Sequence, residues 1–381
     1  STTFQTVIAL APGAYDPYHR VPSRLRIGYA GGRGGTEMQV EYSGQGRLTD
    51  VGTSHVDFLL RAPNVRDESV LGLRDEYRVE FVGESYRWEV GDASYDLSAM
   101  TVRQRYGRGA GGRLELGRWM LGGWRSRSIW VEPHFDDTAV YARYRHSERA
   151  EIGVNYLSRR LGLQGDVASL TARTRPLPSL AVDLEYARNL EGDGGSHRAY
   201  VARLKGTSGE IRYFVERVRG GKDFIGSHRH EVQTVASLSL PIFLDMRLNG
   251  IFREYEEGLD ELADYISQCH EHVSSVGLKR DFPLGLRAAA DWREVERRGQ
   301  TGCTPYEYAT RTIRLSLERP HARVSAWGFL ETGVLDNRLE GTEYGATRYG
   351  FRVSCRVSAR CRASGHFQSA LPGSGDPTMR N

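Results

Sequence analysis

Strict alternation of apolar and polar side chains, repeated through most of the chain, constrains the fold more than any other feature. The stretch "PLGLRAAADWREVERRG" (residues 283–299) sets Leu284, Leu286, Ala288, Ala290 and Trp292 on one parity. Gly285, Arg287, Ala289, Asp291 and Arg293 fall on the other. Successive side chains of a strand point to opposite faces, so the stretch has one apolar wall and one charged wall. "RLRIGY", "EMQVEY", "EYRVEF", "LAVDLEY", "IFLDMRLNGIFR", "TIRLSLE" and "YGFRVSCRV" repeat the pattern. A period of two over so many segments is a strand signal.

The connections alternate as well. Short turns are expected near 147–149, 176–178, 207–208, 241, 282–283, 319–320 and 358–359. Longer polar loops are expected over 158–165, 189–196, 220–227, 255–267, 297–305 and 332–342. The chain therefore reads as consecutive hairpins, with roughly 20 to 22 strands. "EEGLDELADYISQ" spaces Leu259, Leu262, Tyr265 and Ile266 as a short amphipathic helix inside a long loop. Residues 1–370 read as a single unit, and 371–381 as a flexible tail rich in Gly, Pro and Ser.

Two architectures accommodate many amphipathic strands. In a soluble sandwich or propeller the apolar wall is core and the charged wall meets water. In a transmembrane barrel the apolar wall meets lipid and the charged wall lines a lumen. The up-and-down meander, the alternating connections and the Tyr and Trp residues near strand ends (Tyr29, Tyr42, Trp88, Tyr186, Trp292, Tyr349) favour the barrel. A sheet of this length also needs closure or stacking to hide its edges. No apolar run is long enough for a membrane helix, which leaves strand-built spans open. The net charge of +4 is too small to argue for nucleic acid, and none is expected as a partner. Basic charge is almost all Arg, the only lysines being Lys205, Lys222 and Lys279. The first ten residues lack the basic start, apolar core and cleavage site of a secretory signal, as expected of a mature form or a segment of a longer protein.

This pattern resembles bacterial outer-membrane β-barrel proteins over nearly the whole chain. "VGDASYDLSAMTVRQRYGRGAGG" (90–112) is similar to Gly-Asp…Ser…Leu-Ser segments of large export barrels such as fimbrial ushers. The plug and periplasmic domains of ushers have no recognisable counterpart, and no terminal aromatic β-signal closes the chain. The resemblance implies an all-β, closed, antiparallel up-and-down transmembrane barrel in the outer membrane. It implies outer-membrane lipid as a partner and, for an export pore, further subunits. The function expected is a channel or translocation pore. A barrel-scaffolded enzyme or adhesin and a soluble β protein remain the alternatives.

The charged wall supplies the candidate pore-lining residues: Asp183, Glu185, Asp245, Arg247, Arg253, Arg287, Asp291, Arg293, Arg314 and Arg352. Facing strands can pair these into ladders, or unpaired Arg rows can favour anionic solutes. Residues 92–109, with Asp92, Arg103, Arg105 and Arg108, are expected to form a surface loop, the alternative being a constriction folded into the lumen. Cys269 with Cys303 and Cys355 with Cys361 are placed for disulfides in an exported protein. "HRH" (His228, His230) and "HEH" (His270, His272) each set two imidazoles on one strand face, but no third ligand accompanies them and no metal site is assigned. "HFDD" near Asp136 reads as a polar loop. No catalytic motif or cofactor-binding loop appears.

Overall fold

The computed structural model describes residues 2–9, 21–32, 35–48, 53–62, 74–129, 134–192, 195–243, 245–258, 268–301, 304–320, 324–356 and 362–370. Among the described residues, twenty-two strands form one antiparallel sheet. They are β1 (Thr2–Ala9), β2 (Ser23–Gly32), β3 (Gly35–Arg47), β4 (His55–Ala62), β5 (Glu76–Val82), β6 (Tyr86–Tyr95), β7 (Arg105–Leu116), β8 (Trp119–Ser128), β9 (Asp136–Ser147), β10 (Ala150–Arg159) and β11 (Gly165–Leu177). There follow β12 (Leu180–Asn189), β13 (Arg198–Ser208), β14 (Ile211–Gly220), β15 (Glu231–Pro241), β16 (Met246–Gly258), β17 (Gln268–Phe282), β18 (Leu286–Thr301), β19 (Thr304–Arg319), β20 (Val324–Asn337), β21 (Thr342–Arg356) and β22 (Arg362–Ala370). Among the described residues the only helical turns are the 3-10 turns Gly195–His197 and Pro283–Gly285. The expected all-β, up-and-down, antiparallel architecture and its strand number are borne out.

Two compact units emerge from the internal contacts. One is Ser1–Ala172 with Ala187–Gly192 and Ile225–Ser227; the other is Arg173–Tyr186, Asp193–Phe224 and His228–Asn381. In the first, β2 through β10 pair in sequence. In the second, β13 through β22 do. The fully described connections are of two kinds, as expected: two or three residues at 83–85, 117–118, 148–149, 178–179, 209–210 and 283–285, and five to ten residues at 96–104, 160–164 and 221–230.

Several expectations are corrected. The loops expected over 297–305 and 332–342 are mostly strand, since β18 runs to Thr301, β19 starts at Thr304 and β20 runs to Asn337. Their polar residues read as loop, but Arg297, inside the first of these stretches, pairs across the strands with Glu271 (2.7 Å). Of the expected helix, Glu256 and Glu257 lie in β16 opposite His270 and Cys269, while 259–267 lie outside the described residues. Residues 371–381 do as well.

Paired residues of an antiparallel sheet share a face, so the register identifies two faces. In the first unit one face carries Trp88 (54% exposed), Val140 and Ile152, all exposed, and the other carries buried Asp137, Asn155 and Arg159. In the second unit one face carries exposed Trp292 and Ile313, and the other carries buried Thr312. The distribution is the reverse of a water-soluble sheet.

Candidate functional site

On the polar face of the second unit, charge falls into rows across the strands. Asp291, Arg314, Glu331 and Arg348 are successive register partners on β18 to β21, alternating in sign. Three rows nearer the long-loop end, Tyr255, Glu271, Arg297, Tyr308 and Asn337 face one another on β16 to β20. Arg297 donates to Glu271 (2.7 Å) and to the Tyr308 hydroxyl (3.2 Å). Nearer the tight turns, Arg287 donates to Asp281 (2.8 Å) and Glu318 (3.2 Å). A cavity of about 430 Å³ opens on this face, lined by Arg293, Arg297, Tyr306, Tyr308, Glu331 and Arg348 among others.

Most of the predicted wall residues therefore share the polar face. Arg247 lies against Glu210 (3.6 Å), Asp183 pairs with Arg173 (3.0 Å), and Arg352 faces Trp327 and His366. Arg253 stacks on Tyr255. Among the described residues Arg253, Lys279 and Arg293 make no ion pair. Asp245 is the exception: it sits exposed in the β15–β16 turn at φ 59°, outside any strand. The turn interrupts the alternation that placed it on the wall.

The polar face of the first unit is different, because it is covered. Residues 96–104 turn back over the sheet instead of forming a surface loop. Leu97, Met100, Thr101 and Val102 are buried. The loop closes on itself through Leu97 N–H to the Val102 carbonyl (2.9 Å) and through the Ser98 and Thr101 hydroxyls (2.6 Å). Polar-face side chains then hold its backbone. Trp124 Nε1 on β8 donates to the Asp96 carbonyl (3.2 Å), and Arg143 Nη2 on β9 to the Leu97 carbonyl (3.2 Å). A second segment, Ile225–Ser227, joins it: the Ser227 N–H donates to the Met100 and Thr101 carbonyls (2.9 and 3.0 Å), and its hydroxyl to the Thr101 carbonyl (3.2 Å). Short residues make room beneath, as Gly107, Gly109, Gly111, Ser126 and Ser128 all lie on the covered face.

An ionic cluster anchors this cover. Asp137, on β9, accepts from Arg159 Nε on β10 (2.7 Å) and from Arg105 Nη1 on β7 (2.7 Å). Arg159 and Asp137 are each 1% exposed. Arg159 also donates to the Ile225 carbonyl, and the Asn189 amide oxygen accepts from Ile225 N–H (3.3 Å). Both guanidiniums stack on Phe135, at 4.2 and 4.8 Å. Sequence reasoning missed this centre: "HFDD" read as a polar loop, yet Phe135 and Asp137 are its middle. The usable signal was an acidic pair immediately before an alternating segment.

The remaining predicted residues of this region part company. Asp92 and Arg108 pair (2.6 Å) on the opposite face, and Asp92 also accepts from Tyr77 N–H (2.9 Å). The preceding Gly91 has φ +105°, and a Cβ there would lie 1.8 Å from the Tyr77 carbonyl oxygen. "Gly-Asp" is thus a strand irregularity with its cap. Arg103 is exposed in the loop. His228 and His230 lie in the β14–β15 loop at positive φ, so they are not on a strand face, and His228 contacts Glu231 (2.8 Å). His270 and His272 do share one face of β17. No cluster suited to a metal occurs among the described residues. Cys269 and Cys355 are free thiols among the described residues, and Cys303 and Cys361 lie outside them.

Among the described residues, antiparallel up-and-down strands, an exposed apolar face, a polar face knit by charge, and short and long connections have the make-up of an outer-membrane β-barrel protein. No family model and no curated protein matches the chain. Solved structures similar to it include Wzi, an outer membrane protein involved in group 1 capsule assembly in Escherichia coli and a carbohydrate-binding beta-barrel. It is 9% identical with a TM-score of 0.43, over 78% of this chain and 80% of that one. OmpTΔL8, a loop-deletion mutant of an outer membrane protein of Vibrio cholerae, is 9% identical with a TM-score of 0.38, over 67% and 91%. An anion-selective porin from Comamonas acidovorans is 11% identical with a TM-score of 0.26, over 97% and 100%. Likenesses at this level leave the class resting on the chain's own strands.

Proposed function

We propose that the chain closes into a barrel across the bacterial outer membrane and passes polar solutes along its charged wall, with residues 96–104 narrowing the passage. The observation that carries this reading is the inverted burial of the strands. Burying a Leu, Val or Phe side chain is worth about 1.5–3 kcal/mol. Rows of such residues exposed to water would be a large unsatisfied cost, whereas lipid covers them without one. The opposite face holds paired charges, which lipid would not tolerate. Among the described residues the guanidinium groups of Arg253 and Arg293 and the Lys279 ammonium make no ion pair, which supports a preference for anions.

Planar-bilayer recording tests the proposal. The intact protein should conduct weakly and prefer anions, with the preference fading as salt rises, because screening shortens the reach of fixed charge. Replacing residues 97–103 by a short Gly-Ser linker should raise conductance several-fold. A monodisperse, detergent-free monomer would overturn the membrane reading. A second reading, a barrel that serves only as an enzyme or adhesin scaffold, is favoured by the covered polar face of the first unit. It replaces the channel if neither the intact protein nor the loop-replaced variant conducts.

A further inference from the structure

We propose that the apolar face of β16–β20 holds one glycerophospholipid, an acyl chain lying beside Ala290 and the phosphate on Arg280; this rests on the membrane-spanning reading above. A shallow, open groove of about 660 Å³ runs over this face. The register explains its shape. Leu278, Ala290 and Leu315 are partners across β17, β18 and β19, and Arg280, Ala288, Leu317 and Gly328 form the next row across β17 to β20. Ala288 and Ala290 on β18 thus lie between the long Leu278, Arg280, Leu315 and Leu317 of β17 and β19, with Gly328 of β20 widening the second row. Trp292, next on the same face of β18, ends the trough toward the long loops.

Charge selects the occupant. The Arg280 guanidinium lines the groove at its tight-turn end and stacks on Phe282 at 4.8 Å. Arg319 lies on the same face at the same end of β19 and is exposed. Neither makes an ion pair among the described residues. On this face the acids, among them Glu254, Glu256, Glu294, Glu296 and Glu307, lie at the other end of their strands. Two unpaired guanidiniums beside an apolar trough suit a phosphate with a hydrocarbon tail, since Arg binds phosphate through paired donors. Tight turns of such barrels face the periplasm. That places Arg280 at the inner leaflet, whose lipids are glycerophospholipids.

The test is native mass spectrometry of the full chain released from nanodiscs of palmitoyl-oleoyl phosphatidylethanolamine and phosphatidylglycerol. One retained phospholipid per chain is expected. Ala290→Phe, which fills the trough from outside the sheet, should abolish retention. Arg280→Gln with Arg319→Gln should lower it by at least about fivefold, in line with loss of charge-assisted hydrogen bonds. Unchanged heat-dependent gel mobility establishes that each variant is folded. Equal retention by Ala290→Phe would overturn the inference, as would a chain dimer that this substitution disperses, which would assign the groove to a second copy. Stable insertion without retained lipid sinks this inference alone. Failure to enter nanodiscs sinks the membrane reading with it.

Discussion

The polar face over β6–β10 and the polar face over β16–β21 obey the same alternation but meet different surroundings. Over β6–β10, Asp137 and Arg159 are each 1% exposed beneath a folded loop. Over β18 and β19, Arg287 and Glu318 keep 34% and 39% of their side-chain surface. The first pair is a buried ion pair, strongly coupled to its neighbours; the second is a solvated one. Side-chain parity is therefore enough to make a face polar. What lies across that face decides whether its charges act as structural anchors or as a wetted wall.

The largest effect should separate the two regions most sharply. Arg159→Leu leaves Asp137 buried with only Arg105 and removes the donor to the Ile225 carbonyl. It should cost about 3–5 kcal/mol, the usual consequence of breaking a buried pair from one side. Arg287→Leu should cost less than about 1 kcal/mol, as solvated pairs do. Urea titration of the bilayer-folded protein, followed by tryptophan fluorescence, measures both; comparable losses would erase the distinction.

Next in size is a contrast between faces instead of regions. Leu315→Arg places a charge on the exposed apolar face and should cost roughly 2–4 kcal/mol if that face meets lipid. Arg314→Leu, one residue away on the polar face, should be milder by the same assay. Equal tolerance at the two positions would argue against lipid contact.

Ser227→Ala removes only the hydroxyl bond to the Thr101 carbonyl, worth about 1 kcal/mol. It should leave the fold intact while speeding proteolysis within 96–104, with no change at the exposed loops. The smallest effect belongs to the open wall. Arg293→Gln should shift the reversal potential slightly toward cations without altering stability. A selectivity identical to that of the intact protein would assign Arg293 to the wall and not to the filter.

Alternation alone was enough to read most of the strands, their approximate number and the two faces, because each side chain's direction follows from its position in a strand. Leu286 through Trp292 and Arg287 through Arg293 fell on the faces their parity required. Parity has no hold on a residue once the chain turns, which is why Asp245, His228 and His230 were misplaced. It also cannot say where a connection goes. Residues 96–104 are as polar as many surface loops, and only the fold brings Trp124, Arg143 and Ser227, far apart in sequence, to their carbonyls. The Asp137 centre was hidden for the same reason. Its members lie on β7, β9, β10 and the 221–230 connection, and what unites them is burial under a shared cover, a property of the packed chain that no local window of sequence contains.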